Sequence, residues 1–129
     1  MKARKSMLVL VTLTAMLLAS VPVFSQEVLD LTDSDAAVKE IVIENDGLSY
    51  VIEEIRVNEG DRIRLTYVNT GGFHDWVLDE FDAATQQIPA GQEDTIEFVA
   101  DEAGEYEFYC SVGNHRARGM LGSVVVVAD

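Results

Sequence analysis

Apolar and polar residues alternate with a period of two along most of this chain, and short turn sequences separate the alternating segments. Between residues 62 and 68, for example, Arg62, Arg64 and Thr66 interleave with three large apolar residues. Alternation of this kind is typical of a strand with one face in a core and the other in solvent. The segments that predict strands, by alternation or by β-branched content, are 38–44, 50–57, 62–68, 74–78, 95–99, 105–110 and 121–127.

The spacing of these segments predicts an all-β domain. No stretch of eleven or more residues has helical periodicity, although residues 82–87 are compatible with one helical turn. Seven or so short strands with regular turns indicate an antiparallel sandwich or barrel of about 100 residues. Tyr106, near the start of a predicted strand, suits the structural role of a tyrosine corner.

The first 25 residues have the pattern of a targeting segment. Basic residues come first, an apolar run from Met7 to Ala19 follows, and the small residue Ser25 ends the segment. This order predicts a secretory signal peptide over 1–25 and an exported protein, periplasmic or extracellular. The apolar run is short for a membrane span, so we expect no stable membrane insertion after cleavage. An uncleaved N-terminal anchor is the alternative. Residues 26–36 are expected to be a mobile polar lead-in to a domain at 37–129.

Charge excludes some classes of partner. The chain carries a net charge of −14, and residues 26–129 hold all 23 acidic but only six basic residues, which gives −17. A surface this acidic does not attract nucleic acid or an anionic membrane. It can steer association with a basic protein partner, but a role in solubility, with Lys39 as the only lysine after residue 25, is the simpler interpretation.

Four residues that can ligate a metal are unusually placed. After residue 25 the chain has one cysteine, Cys110, two histidines, His74 and His115, and one methionine, Met120. Four residues separate Cys110 from His115, and four separate His115 from Met120. A lone cysteine cannot form an intramolecular disulfide, and an exported thiol is exposed to oxidation unless it is buried or coordinated.

The residue types favour copper. A thiolate, two imidazoles and a weak thioether are the ligand set of a blue-copper electron-transfer site. Each of these residues taken singly is more often core filler than a ligand, but all four fall where one site would use them. Zinc is the rival metal, and a methionine ligand disfavours it. A two-copper centre of the oxidase type would need a second cysteine.

Several motifs give the chain a family resemblance. They include Val57-Asn58-Glu59-Gly60-Asp61, the run GFHDWVLDEF around His74, and the run FYCSVGNHRARGM from Phe108 to Met120. On these motifs, from about Ile41 to Val127, the chain resembles the plastocyanin/azurin family of small blue copper proteins. The resemblance implies a Greek-key β-sandwich of seven to eight strands with copper near one end. The ligands it implies are His74, Cys110 and His115, with Met120 as the weak axial ligand.

The resemblance also implies a site at which electrons enter and leave. Electrons are expected to pass at the exposed edge of His115, which an apolar patch surrounds; the expected neighbours of that patch are Gly72, Phe73, Gly113, Gly119 and Met120. The chain departs from the family pattern in two respects. The Cys-to-His spacing is longer than in plastocyanin itself. Asp75 stands where the family often has asparagine, and a carboxylate close to copper would lower its reduction potential.

Other residues near the motifs are expected to be structural. Trp76 is expected to pack near the site rather than to relay electrons. Arg116 and Arg118 are expected to offset nearby acids rather than to dock an acidic partner. The acidic cluster of Asp79, Glu80 and Asp82 is expected to be a solvated edge rather than a second metal site.

Three functions are compatible with the sequence, and none is enzymatic. The first is a monomeric one-electron carrier that holds one copper ion, Cu(I) or Cu(II), and serves redox proteins such as c-type cytochromes or oxidases. The second is a protein that delivers or buffers copper for an oxidase, although methionine-rich tracts are absent from the sequence. The third, a metal-free binding module, is disfavoured by the ligand set. A nitrite reductase would need a second copper site with further histidines.

Overall fold

The computed structural model describes residues 27–128, which are almost entirely strands and turns. Among them are seven strands of four or more residues and five of two residues. The strands are β1 (Glu27–Asp30), β2 (Lys39–Asp46), β3 (Ser49–Tyr50), β4 (Ile52–Asn58), β5 (Asp61–Val68), β6 (Phe73–His74), β7 (Val77–Leu78), β8 (Ala83–Ala84), β9 (Ile88–Pro89), β10 (Glu93–Ala100), β11 (Gly104–Tyr109) and β12 (Leu121–Val127). Two 3₁₀ helices cover Asp79–Phe81 and Arg116–Arg118.

The strands form two facing sheets, which confirms the predicted all-β sandwich. One sheet has the order β1-β4-β12-β11-β7-β8, the other has the order β10-β5-β2-β3, and β6 pairs with β9 alone. The sheets are mixed rather than antiparallel: β1 with β4, β12 with β4, and β2 with β5 are parallel pairs. The predicted antiparallel pairing therefore holds for the other strand pairs but not for these three. Parallel and antiparallel strands share the same side-chain period, so the period does not distinguish them.

The core lies between the two sheets and follows the alternation in the sequence. Buried and exposed residues alternate along the whole of β2, and β5 buries Ile63, Leu65 and Tyr67. Each fully buried aliphatic side chain contributes about 1.5–3 kcal/mol relative to an exposed one. The core therefore stabilises the frame on which the metal-binding residues are mounted. Its large fully buried side chains include Trp76, Tyr50, Tyr67, Phe108, Ile43, Ile55, Ile63, Leu65, Leu78 and Met120.

Two local predictions differ from the structure. The helical turn lies at Asp79–Phe81 rather than within 82–87, because Asp82 adopts a left-handed backbone conformation (φ 48°) that ends it. The segment 26–36, predicted as a mobile polar lead-in, contains β1, which extends the larger sheet by pairing with β4. The sequence missed this strand, and the mobility of the segment stays a prediction.

The predicted strand 74–78 is broken in the structure. β6 ends at His74 and pairs with β9, whereas β7 begins at Val77 and belongs to the six-stranded sheet. The break lets His74, Asp75 and Trp76 all be buried in succession, which a regular strand would not allow.

Tyr106 has the geometry predicted for a tyrosine corner. Its hydroxyl donates to the backbone carbonyls of Glu102 (3.0 Å) and Ala103 (3.3 Å), just before β11. The residue therefore has the structural role expected of it.

The predicted signal peptide lies outside the described residues. Within residues 27–128, no helix is long and apolar enough to span a membrane.

Candidate metal centre

The ends of β6, β11 and β12 bring the predicted ligands together. His74 is the last residue of β6, Cys110 directly follows β11, and Met120 directly precedes β12. Tyr109 pairs with Leu121 across the antiparallel ladder of β11 and β12. Cys110 and Met120 therefore face each other at the end of that ladder, where the Cys110 N–H donates to the Met120 carbonyl at 3.1 Å.

Three donor atoms converge. Nδ1 of His74 lies 3.1 Å from Nδ1 of His115 and 3.7 Å from Sγ of Cys110, and the distance between Cys110 Sγ and His115 Nδ1 is 3.5 Å. Among the described residues, these three form the single group of histidine, cysteine and acidic side chains able to hold a metal ion. The sequence prediction that they meet is confirmed.

The size of this triangle fits a first-row transition metal ion. The three donor atoms are 3.1, 3.5 and 3.7 Å apart, so the circle that passes through all three has a radius of about 2.0 Å. An ion at the centre of this circle would lie at that distance from each donor atom. Typical distances from such an ion are about 2.0–2.1 Å to imidazole nitrogen and about 2.3 Å to thiolate sulfur, as measured for zinc. The donor atoms can therefore hold one ion close to their common plane without large movement.

Met120 is fully buried. Its N–H donates to the His115 carbonyl at 3.0 Å, and its own carbonyl accepts from Cys110. The backbone thus fixes Met120 relative to two donor residues, while its role as a fourth ligand stays a prediction.

The His74 ring sits under a glycine turn. A Cβ atom on Gly72 would lie 2.6 Å from His74 Nε2, and Gly72 has a φ of 82°. Burial, with the adjacent His115, lowers the pKa of His74, and a hydrogen bond to the Gly71 carbonyl opposes this shift. His74 is therefore held neutral near pH 7, which is the form that binds metals.

The Cys110 sulfur receives backbone hydrogen bonds. Burial raises the pKa of the Cys110 thiol, while the N–H groups of Asp75 and Val112 donate to the sulfur and lower it. Donors of this kind orient a thiolate ligand and tune the metal that it binds.

Asp75 joins the two ligand-bearing segments. Its carboxylate accepts a hydrogen bond from the Ser111 N–H at 2.7 Å and another from the Ser111 hydroxyl. The Tyr50 hydroxyl donates to the Asp75 carbonyl at 2.6 Å. Asp75 itself is 3% exposed. Sequence reasoning missed Ser111 and Tyr50 because neither residue type nor spacing marks a contact with a residue so distant in the chain.

Trp76 packs as expected. Its ring is fully buried, with centroids 5.3 Å from Phe108 and 6.1 Å from Phe98. Trp76 therefore belongs to the hydrophobic core, two residues after His74 in the chain.

The charged residues around the site are engaged in surface contacts. Arg116 pairs with Glu107, as expected, whereas Arg118, for which the same was expected, has no ion pair within residues 27–128. Asp79 accepts a hydrogen bond from the Tyr109 hydroxyl. The acidic cluster around Asp79 forms no metal-binding group among residues 27–128.

Comparison with known proteins places this site in a family context. The model of the cupredoxin-like domain family matches residues 7–125. Plastocyanin B, chloroplastic, of Populus nigra is 34% identical in an alignment of 91 residues that covers 61% of this chain; the chain spans about half (52%) of that protein's length.

Solved structures share the fold. Dithionite-reduced auracyanin from the photosynthetic bacterium Roseiflexus castenholzii aligns with a TM-score of 0.63 and 27% identity, over 71% of this chain and 99% of that one. A copper nitrite reductase from Nitrosomonas europaea aligns with a TM-score of 0.61 and 19% identity, over 71% of this chain and 42% of the enzyme. At that identity the second likeness concerns the fold alone.

Proposed function

Because this chain belongs to the cupredoxin-like family, we propose that it is a one-electron carrier with a mononuclear blue-copper site. The proposed ligands are His74, Cys110, His115 and Met120. The observation that carries the proposal is the convergence of the His74, Cys110 and His115 donor atoms, all within 4.8 Å of one another.

The chemistry of the donors supports copper. Two imidazoles and a thiolate in a trigonal set, with a buried thioether nearby, suit an ion that alternates between Cu(I) and Cu(II). The bound ion would supply the one-electron redox step. The chain's own contribution is to keep the donors in place, so that little movement accompanies the change in charge.

The packing of the site supports fast electron transfer rather than catalysis. His74, Cys110 and Met120 are buried, at 3%, 1% and 0% exposure. Their segments are fixed by the β11–β12 ladder and by the Asp75–Ser111 hydrogen bonds. Such a frame limits ligand movement and leaves no donor position evidently open to a substrate.

His115 is the proposed port for electrons. It is the one of the four proposed ligands that is partly exposed, and the large apolar residue Phe73, next to His74, is 47% exposed. An exposed ligand edge beside apolar surface allows a redox partner to approach closely and to exclude water. The proposal that electrons pass at His115, within an apolar patch, rests on the family resemblance and on the exposure of His115 and Phe73.

We also propose that the protein works outside the cytoplasm as a monomer and serves basic redox proteins, such as c-type cytochromes or oxidases. The signal-like segment 1–25 and the net charge of −17 for residues 26–129 support this setting. Electrostatic steering predicts that the rate of electron exchange with a basic partner falls as salt is added. A rate that stays flat or rises with salt would exclude steering.

Voltammetry of the copper-loaded protein, combined with Cu(I) capture by a chelator, tests the carrier function. A carrier gives a reversible one-electron couple and keeps Cu(I) through many cycles. An irreversible couple, or rapid loss of Cu(I) to the chelator, would instead favour copper delivery.

A further inference from the structure

The loop that carries His115 has one polar side-chain anchor, besides the packing of Val112 against the core. Residues 112–119 are closed by their own backbone hydrogen bonds, such as His115 N–H to the Val112 carbonyl at 3.1 Å. Apart from His115 itself, Arg116 is the only side chain of 112–119 with a hydrogen bond or ion pair to another part of the described chain. The orientation of this loop therefore depends on few contacts.

Arg116 contacts two residues on the outer face of β11. Its Nε donates to Glu107 Oε1 at 2.7 Å, and a second guanidinium nitrogen lies 2.6 Å from the same oxygen. Its Cζ lies 3.9 Å from the centroid of the Tyr109 ring. Glu107 and Tyr109 share one face of the strand because they are two residues apart. The planar guanidinium can pair with the carboxylate and cover the aromatic ring at once.

These contacts join the neighbours of the donor residues. Arg116 directly follows His115, and Tyr109 directly precedes Cys110. Tyr109 in turn pairs with Val77 of β7, and its hydroxyl donates to Asp79. The Arg116 contacts thus connect the His115 loop to the strand that leads to Cys110 and to the segment that follows His74.

We propose that Arg116 is a positioning residue that fixes His115 relative to Cys110 and His74 before a metal ion binds. The copper-affinity experiment described below assumes the proposed function. The hydrogen-exchange experiment uses the metal-free protein and does not depend on that function.

Amide hydrogen exchange in the full-length, metal-free protein tests the preorganisation. We expect Arg116→Met to speed exchange of the amides between Asn114 and Gly119 about fivefold to tenfold, because it removes both the ion pair and the cation over the ring. Glu107→Gln, which changes the other partner, should speed the same amides by a smaller factor. Arg118→Met is the matched control, because Arg118 lies in the same loop and has no ion pair among the described residues; it should leave exchange unchanged.

Copper affinity provides a second readout. The Cu(I) affinity of Arg116→Met, from chelator competition, should fall about fivefold, and that of Arg118→Met should match the parent chain. Arg116→Lys keeps the charge but loses the planar contact, so it should rescue only part of both effects.

Equal exchange rates for the Arg116→Met and Arg118→Met variants would overturn the proposal. If the parent chain bound no copper, the proposed function would fail while the exchange experiment still decided the role of Arg116.

Discussion

The carboxylate of Asp75 accepts hydrogen bonds from both the N–H and the hydroxyl of Ser111. These bonds directly connect the residue after His74 to the residue after Cys110. Two of the converging donors are therefore linked by side-chain hydrogen bonds as well as by the sheet. The same contacts place a buried acidic group beside the proposed copper site.

Asp75→Asn should raise the reduction potential of the copper-loaded protein. A negative charge near the ion stabilises Cu(II), and its removal favours Cu(I). A unit charge several ångströms away, at an effective dielectric constant near 20, predicts a shift on the order of 100 mV. Voltammetry measures the shift. Ser111→Ala is the control, since it removes one hydrogen bond to the same carboxylate without changing charge, and it should shift the potential much less. A lowered or unchanged potential in Asp75→Asn would show that the Asp75 charge does not act on the site.

Gly72→Ala should weaken metal binding. The added Cβ would lie 2.6 Å from His74 Nε2, so the ring must leave its present position relative to the other donors. We expect the metal affinity to fall by at least about tenfold, the range seen when the support of a ligand histidine is disturbed. Gly71→Ala is a neighbouring control with open space at its Cβ position. Chelator competition that gave equal losses for the two variants would contradict the close approach of Gly72 to His74.

Tyr50→Phe should destabilise the protein whether or not metal is bound. The Tyr50 hydroxyl is buried and donates to the Asp75 carbonyl, which would lose its partner. Leaving a buried acceptor unpaired costs about 1–3 kcal/mol. Denaturant unfolding of the metal-free protein measures the loss. Tyr109→Phe, which removes a more exposed hydroxyl, should cost under about 1 kcal/mol, and the reverse order would mean that the Tyr50 contact contributes little.

The sequence predicted the donor set because it has few residues that could form one. With a single cysteine and two histidines after the signal-like segment, the candidates were His74, Cys110 and His115, and the structure brings all three together. The alternation of apolar residues likewise predicted most long strands, since a half-buried strand must alternate.

Features that depend on distant partners could not be predicted. β1 forms because β4 offers a free edge, although its own residues are mostly exposed. The contacts of Arg116 with Glu107 and Tyr109 can be predicted only when the fold of the loop is known. The shifted helical turn follows from the left-handed conformation of Asp82, which aspartate tolerates but does not require.

Metal affinity should increase with pH through one proton. Burial raises the pKa of the Cys110 thiol, so the thiol is protonated at neutral pH and must lose its proton to bind. The pKa of His74 is lowered by burial, so His74 is already neutral above about pH 7 and releases no proton there. Apparent affinity should therefore rise about tenfold per pH unit between about pH 7 and 8. Chelator competition across this range measures the slope, and a flat profile would mean that Cys110 is ionised beforehand or is not a ligand.

The most direct test of the copper site is the visible and EPR spectrum of the purified protein after addition of Cu(II), recorded beside Cys110→Ser. The predicted result is an intense blue or green thiolate-to-copper band with narrow copper hyperfine splitting, lost in Cys110→Ser. A colourless protein, or ordinary weak Cu(II) signals that are the same in Cys110→Ser, would contradict the assignment of Cys110 as a copper ligand and with it the proposed electron carrier.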